Sequence, residues 1–449
     1  MRKKIITVIL LLVIGGLTYA ITTYYPKLGI VTAYAAKKMC SCTFIAERTQ
    51  ESIQAEDLGM SPLSLSESVI DRQNKSVTTS VYGLQPKTAE FRGKLGCVLI
   101  HGKDDYQVKY PESSFDKAEV IDMAFPYGNK LDIKPVQGVN YEKLNKAADE
   151  VFDPNGGMTN HKTRSLLILH KDSIIYEKYA NGYDENTEIL GWSMTKSIMN
   201  TWVGMMIKDS LISLGNRSLF PEWQNDDRQY IYLKDLLTMT SGLEWDEVYS
   251  EVSPATKMLY TSEDNGAVAL SQPMEAIEAG VSWEYSSGTS NIISKYLRNQ
   301  FSNHDDYLRF PHERIFQPLN MTNTTMEVDE SGSYIGSSYC YATTRDWARF
   351  GTLYLRDGVW NGDRLLPEGW VDYTKTPHAA SNGRYGAHFW TNAAPKYNKD
   401  APEDMFSANG YEGQRVFIIP SKDLVIVRMG LSKIDFNSLI KNICASIDY

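Results

Sequence analysis

Between Ile5 and Pro26 the chain carries no charged residue, and Ile, Leu and Val dominate the run. Arg2, Lys3 and Lys4 stand immediately before it. At about 1.5 Å per residue such a run, as a helix, spans a hydrocarbon core of roughly 30 Å. A positive cluster followed by a long apolar stretch is read by the export machinery, and it leaves the rest of the chain outside the cytoplasm. Two readings of residues 1–36 stay open. The run is a retained single-pass membrane anchor, or it is a signal peptide cleaved near the A-x-A-like Ala33, Tyr34 and Ala35. Lys38 and Met39 precede Cys40 where a lipoprotein needs small residues, which argues against lipid attachment.

A length of 449 residues predicts two or three domains. Hydrophobic residues make up 42% and charged residues 22%, which excludes a chain that is mainly disordered. The net charge of −9 leaves no basic surplus, so no nucleic-acid partner is expected. The five cysteines are Cys40, Cys42, Cys97, Cys340 and Cys444. An exported chain can hold disulfides, and Cys40 or Cys42 is expected to pair with Cys97. The odd number leaves at least one free thiol. There is no C-x-x-C pair, and the seven histidines are scattered. No metal site and no cofactor is therefore expected.

Residues 37–133 read as a small β-rich segment with a linker, and residues 134–449 as the main domain. The apolar runs 165–169 and 173–179 predict one hairpin, and 414–419 with 424–429 predict another. Helices are expected over 193–209, 233–240, 291–300, 344–357 and 435–447. Strands near both ends with helices between them predict an α+β domain whose ends share one antiparallel sheet.

Three short motifs could carry chemistry. Ser193 and Lys196 lie three apart at the start of an apolar helix, so their side chains share a face. A serine hydroxyl needs a base in contact to act as a nucleophile, and a buried lysine loses its proton more easily than a free one. The helix start also offers backbone N–H groups to an oxyanion. Tyr285, Ser286 and Ser287 form a tight loop before the next helix. A tyrosine beside that lysine is expected to have a lowered pKa and to take the serine proton. Gly410, Tyr411, Glu412, Gly413 and Gln414 precede the last hairpin, where glycines permit close backbone approach. Taken singly, a capping serine, a surface tyrosine and an ordinary turn account for each motif.

In this order the three motifs resemble those of the β-lactamase-related serine hydrolases of the class C type. That group includes class C β-lactamases, D-Ala-D-Ala carboxypeptidases, family VIII carboxylesterases and 6-aminohexanoate-dimer hydrolase. The stretches from Leu236 to Leu243 and from Thr344 to Gly351, and Asp357 and Gly358 with the stretch from Leu366 to Trp370, resemble the family as well. The resemblance implies a class C β-lactamase-like α+β fold, with an antiparallel sheet flanked by helices and an all-helical subdomain.

By the same resemblance Ser193 is the nucleophile, with Lys196 and Tyr285 as its proton-transfer groups. Tyr411, Glu412 and Gly413 fall on the Lys-Thr-Gly strand element, and Ser287 stands where the lactamases have Asn. With Tyr411 and Glu412 in place of Lys-Thr, an anionic β-lactam should bind poorly. The expected activity is cleavage of a small amide or ester outside the cytoplasm, on the 6-aminohexanoate-dimer hydrolase and carboxylesterase side of the family. The alternatives are a β-lactamase, D-Ala carboxypeptidase or D-aminopeptidase, and a penicillin-recognising sensor or binding protein without turnover. The oxyanion is expected at the backbone N–H groups of Ser193 and Gln414. Trp192, Trp245 and Trp283 are candidate pocket walls, though core packing is the expected role of each. Glu412 could meet a substrate amine or simply sit on the rim.

Overall fold

The computed structural model describes residues 2–102, 121–131, 135–275, 278–393 and 398–447. Its first element is a single long helix, α1 (Arg2–Phe44), with Pro26 inside it. The two halves of α1 meet different surroundings. The described side chains from Ile5 to Tyr25 are exposed except for the half-buried Thr23. Ala33, Ala35, Ala36, Met39 and Cys40 are fully buried. Residues 37–44, expected as strand and loop, therefore continue a helix, and the boundary placed at 36 falls inside it. The reason is packing: residues 35–43 are buried on every face of the helix, so its backbone bonds are kept within protein.

Four antiparallel strands enclose it: β1 (Glu67–Asp71), β2 (Ser76–Val81), β3 (Leu84–Phe91) and β4 (Cys97–Ile100), paired in that order. A disulfide joins Cys40 of α1 to Cys97 of β4, while Cys42 is a buried free thiol. Glu327 of the main domain fastens the same junction. Its carboxylate pairs with Lys37 at 2.8 Å and accepts from Ser41 at 2.6 Å and from the Cys97 N–H at 2.8 Å. A buried charge is tolerable when its hydrogen bonds are complete in this way. Residues 103–120 and 132–134 of the segment expected to hold the linker lie outside the described residues.

The main domain begins with α2 (Tyr141–Asp149), followed by the hairpin β5 (Thr163–His170) and β6 (Ser173–Tyr179). The helices α3 (Thr195–Lys208), α4 (Leu233–Leu237), α5 (Pro254–Thr261), α6 (Asn265–Leu270), α7 (Ser287–Arg298) and α8 (Thr344–Leu355) follow. The chain then returns as β7 (Trp390–Thr391), β8 (Phe406–Asn409), β9 (Arg415–Ile419) and β10 (Leu424–Gly430), and closes with α9 (Phe436–Ala445). The six strands form one antiparallel sheet in the order β7-β8-β9-β10-β5-β6. Val425 sits opposite Leu169, so the two ends of the domain do share the sheet.

Both faces of this sheet are covered. Along β5, Leu167 and Leu169 enter the larger core, while Leu166 and Ile168 enter a second core with Leu144 of α2 and Ile440 of α9. The same alternation runs along β9, where Val416 and Ile418 face one core and Phe417 and Ile419 the other. Successive strand residues point to opposite faces, so a sheet buried on both sides reads as a continuous apolar run. On the larger-core side α8 lies so close that a Cβ on Gly351 would come within 2.7 Å of Val425.

Candidate active site

The nucleophile candidate sits on a turn. Trp192 has φ 49°, a left-handed conformation that costs energy for a non-glycine residue. A 3₁₀ turn spans Trp192–Met194, and α3 begins at Thr195, two residues later than expected. The turn leaves Ser193 half-buried at a cavity wall. Lys196, in the first turn of α3, is fully buried, and its Nζ donates to Ser193 Oγ at 3.0 Å. The same ammonium donates to Ser287 Oγ at 3.1 Å and to the Ser337 carbonyl at 2.9 Å. Burial pushes the Lys196 pKa down to about 8, against an opposing pull from the Glu247 charge. His388 holds the lysine from behind by donating Nδ1–H to the Lys196 carbonyl at 2.8 Å. Burial and the lysine push that imidazole down to about 3, so it is neutral.

Tyr285 lies in the loop before α7 and lines the cavity with Ser193. Its pKa is raised rather than lowered, first by burial and then by the Glu247 charge, against a downward pull from the Ser193 side chain. The expected phenolate is therefore not the resting form. Lys196 Nζ lies over the face of the Tyr285 ring, 4.9 Å from its centre.

Ser287 opens α7 and belongs to the same network. Its N–H donates to Glu247 at 2.9 Å, and its hydroxyl donates to the same carboxylate. Tyr249 OH donates to Glu247 at 2.6 Å, and the Trp245 indole N–H donates to it as well. Trp245 is thus a support for Glu247 and does not line the cavity. A Cβ on Gly288 would meet its ring at 2.5 Å, which fixes the start of α7 against it. Glu247, Tyr249 and His388 are missing from the sequence reading. The first two follow Trp245 in a polar loop with no spacing that relates them to Ser193.

The third motif forms the turn between β8 and β9. A Cβ on Gly410 would come within 2.1 Å of the Gly191 carbonyl, so glycine lets this turn close onto the nucleophile turn. Gly410, Tyr411 and Glu412 line the cavity with Ser193. Gly413 and Gln414 lie behind it, both buried. The Gln414 side chain is spent on Gly430, donating to its carbonyl and accepting its N–H at 2.8 Å, and the Gln414 N–H is directed at the Tyr411 carbonyl. Gln414 is therefore not placed as an oxyanion donor. Glu412 accepts from the Trp192 indole at 3.2 Å, and burial raises its pKa. It braces the nucleophile turn more than it faces outward.

The cavity above Ser193 is about 970 Å³. Trp192 and Trp283 are among its walls. One wall comes from α1: Lys27, Ile30, Val31 and Tyr34. Tyr34 stacks on Trp192, with ring centres 6.2 Å apart and planes 18° from parallel. Among the described residues, no group of three or more His, Cys, Asp or Glu side chains is placed to hold a metal.

A serine and a tyrosine thus border one cavity, with a buried lysine bonded to the serine and set over the tyrosine ring, on an α+β fold with an antiparallel sheet. Residues 148–430 match the Beta-lactamase family, and the chain belongs to it. It is 23% identical over 313 residues to the 6-aminohexanoate-dimer hydrolase of Paenarthrobacter ureafaciens, covering 64% of this chain and 77% of that protein. Among solved structures the fold is similar to EstCE1, a hydrolase with promiscuous acyltransferase activity (TM-score 0.56, 15% identity, 68% of this chain and 98% of that one). It is also similar to a family VIII carboxylesterase (TM-score 0.54, 14% identity, 70% of this chain and all of that one).

Proposed function

We propose that the protein is a serine hydrolase that cleaves an amide or ester through an acyl-enzyme on Ser193. The observation that carries this reading is the contact between Lys196 Nζ and Ser193 Oγ, with the lysine buried and its pKa brought near neutrality. In the neutral form the Lys196 amine takes the Ser193 proton as Oγ bonds to the carbonyl carbon. Tyr285 hands a proton to the departing oxygen or nitrogen as the old C–O or C–N bond breaks. Water then adds to the acyl-enzyme, giving its proton back through the same groups, and the carboxylic acid leaves with Ser193 restored. The oxyanion is held by the N–H groups of Ser193 and Tyr411. Ser193 is the second residue of one short 3₁₀ turn and Tyr411 the first of another, both at the cavity wall, where first-turn N–H groups have no intrahelical partner.

The reaction takes place outside the cytoplasm, on a chain held by α1. The exposed apolar residues 5–25, the positive residues before them and the Cys40–Cys97 disulfide support this placement. Retention of α1 is favoured over cleavage near Ala35, because Tyr34 packs on Trp192 and residues 35–43 are buried in the domain.

The test uses the full chain in detergent, a fluorophosphonate probe and p-nitrophenyl acetate. Labelling and hydrolysis are both expected to vanish in Ser193→Ala. Labelling that persists in that variant overturns the assignment.

A further inference from the structure

The cavity has a property that the proton-transfer groups do not explain. One of its walls is the membrane-side helix. The exposed apolar part of α1 ends at Tyr24 and Tyr25, and the first cavity residue, Lys27, follows two positions later. Tyrosines and a lysine at the end of an apolar helix mark the interface between hydrocarbon and water. From Lys27 the helix delivers Ile30, Val31 and Tyr34 to the cavity within about 10 Å of its axis, at about 1.5 Å per residue. Tyr34 ends this wall against Trp192, the residue before the nucleophile. A second segment completes the apolar side: Met60, Pro62 and Leu63 also line the cavity, and Met60 is 73% exposed. Ile30, Val31, Met60, Pro62 and Leu63 give the cavity an apolar slot beside α1, among charged lining residues such as Lys27, Glu56, Asp57 and Lys162. A volume of about 970 Å³ is at the upper end for a small-molecule site.

Resting on the hydrolase reading above, we propose that the substrate is a membrane-resident amphiphile bearing an acyl chain, which enters from the bilayer along α1 and is cleaved at its ester or amide carbonyl. The chain lies against Ile30, Val31 and Leu63 while the carbonyl meets Ser193. The same helix therefore acts as anchor and as substrate wall. Each buried methylene is worth about 0.8 kcal/mol, roughly a fourfold gain, so a few buried carbons give a large preference for long acyl groups.

The experiment uses the full chain reconstituted in phosphatidylcholine vesicles, with p-nitrophenyl acetate in solution and p-nitrophenyl dodecanoate in the bilayer. Dodecanoate is expected to be cleaved with at least tenfold higher kcat/KM than acetate. It is also expected to be cleaved at least tenfold faster in the enzyme's own vesicles than in a separate vesicle population. Val31→Glu and, independently, Leu63→Glu each place a carboxylate in the slot, and each is expected to lower the dodecanoate-to-acetate ratio tenfold. Serine-dependent acetate hydrolysis with no chain-length preference overturns this inference and leaves the hydrolase reading standing. Equal rates from the two vesicle populations overturn entry from the bilayer. Absence of any Ser193-dependent hydrolysis overturns the hydrolase reading itself.

Discussion

The Ser287 hydroxyl accepts a hydrogen bond from Lys196 and donates one to Glu247. A buried ammonium and a carboxylate are thus joined through one serine. The Glu247 charge favours the protonated lysine, so it raises the pKa that burial lowers. Glu247→Gln keeps the shape and removes the charge. The acid limb of the kcat/KM profile for p-nitrophenyl acetate is expected to move to lower pH. Weaker hydrogen bonds to Ser287, Trp245 and Tyr249 should lower the plateau by roughly tenfold, since bonds to charged groups contribute about 1.5–3 kcal/mol. A profile that does not move would remove Glu247 from the proton-transfer network.

The wild-type profile follows from the same groups. Lys196 must lose its proton to act as base, and its pKa is about 8. Log kcat/KM should climb with unit slope below pH 8 and level off above it. Tyr285 is held above its ordinary value, so it stays protonated across this range and adds no falling limb. A limb centred near pH 6, or a fall just above pH 8, would mean that another group controls the reaction. Lys196→Met should lower kcat at least 100-fold, within the usual contribution of a general base.

Much of this site was legible because its chemistry has local spacing. Ser193 and Lys196 are neighbours on one helical turn, and Tyr285 and Ser287 flank the start of another. The two hairpins were readable from their apolar runs, because a sheet covered on both faces needs them. What the chain hid is what tertiary packing decides. Glu247 gains its role from contacts with Ser287 and Tyr249, not from its neighbours in sequence. The direction of the Tyr285 shift is set by its burial and by the Glu247 charge, which no spacing encodes. The turn from Gly410 to Gln414 presents its first three residues to the cavity and hides the last two, a consequence of the Gln414 side chain bridging Gly430. The cavity role of Tyr34 was masked by an A-x-A pattern that also suits cleavage.

That masked segment gives a direct prediction. Ala33, Ala35 and Ala36 are fully buried, and Tyr34 sits against Trp192, so a peptidase cannot reach this stretch in the folded protein. Protein isolated from membranes is expected to contain peptides running through Lys27 to Lys37, detected by mass spectrometry after digestion. A mature N-terminus at Ala36 would refute retention of the helix, and with it the wall that α1 contributes.

The Cys40–Cys97 disulfide is the remaining covalent tie between α1 and the strands around it, and it joins positions 57 residues apart. Cross-linking positions that far apart removes loop-closure entropy from the unfolded chain worth about 4 kcal/mol. Lys37, Ser41 and Cys97 also converge on Glu327, so the junction keeps its polar contacts when the sulfur bridge is absent. The double variant Cys40→Ala, Cys97→Ala should therefore fold, with Tm lowered by roughly 5 °C for a chain of this size. Differential scanning fluorimetry in detergent measures the shift, and dithiothreitol added to the unfolded wild type should reproduce it on refolding. Acetate hydrolysis should persist, because Ser193, Lys196 and Tyr285 are positioned by α3 and the loop before α7. Loss of hydrolysis at temperatures where the variant is folded would mean that α1 must be held by the disulfide for the nucleophile turn to keep its shape.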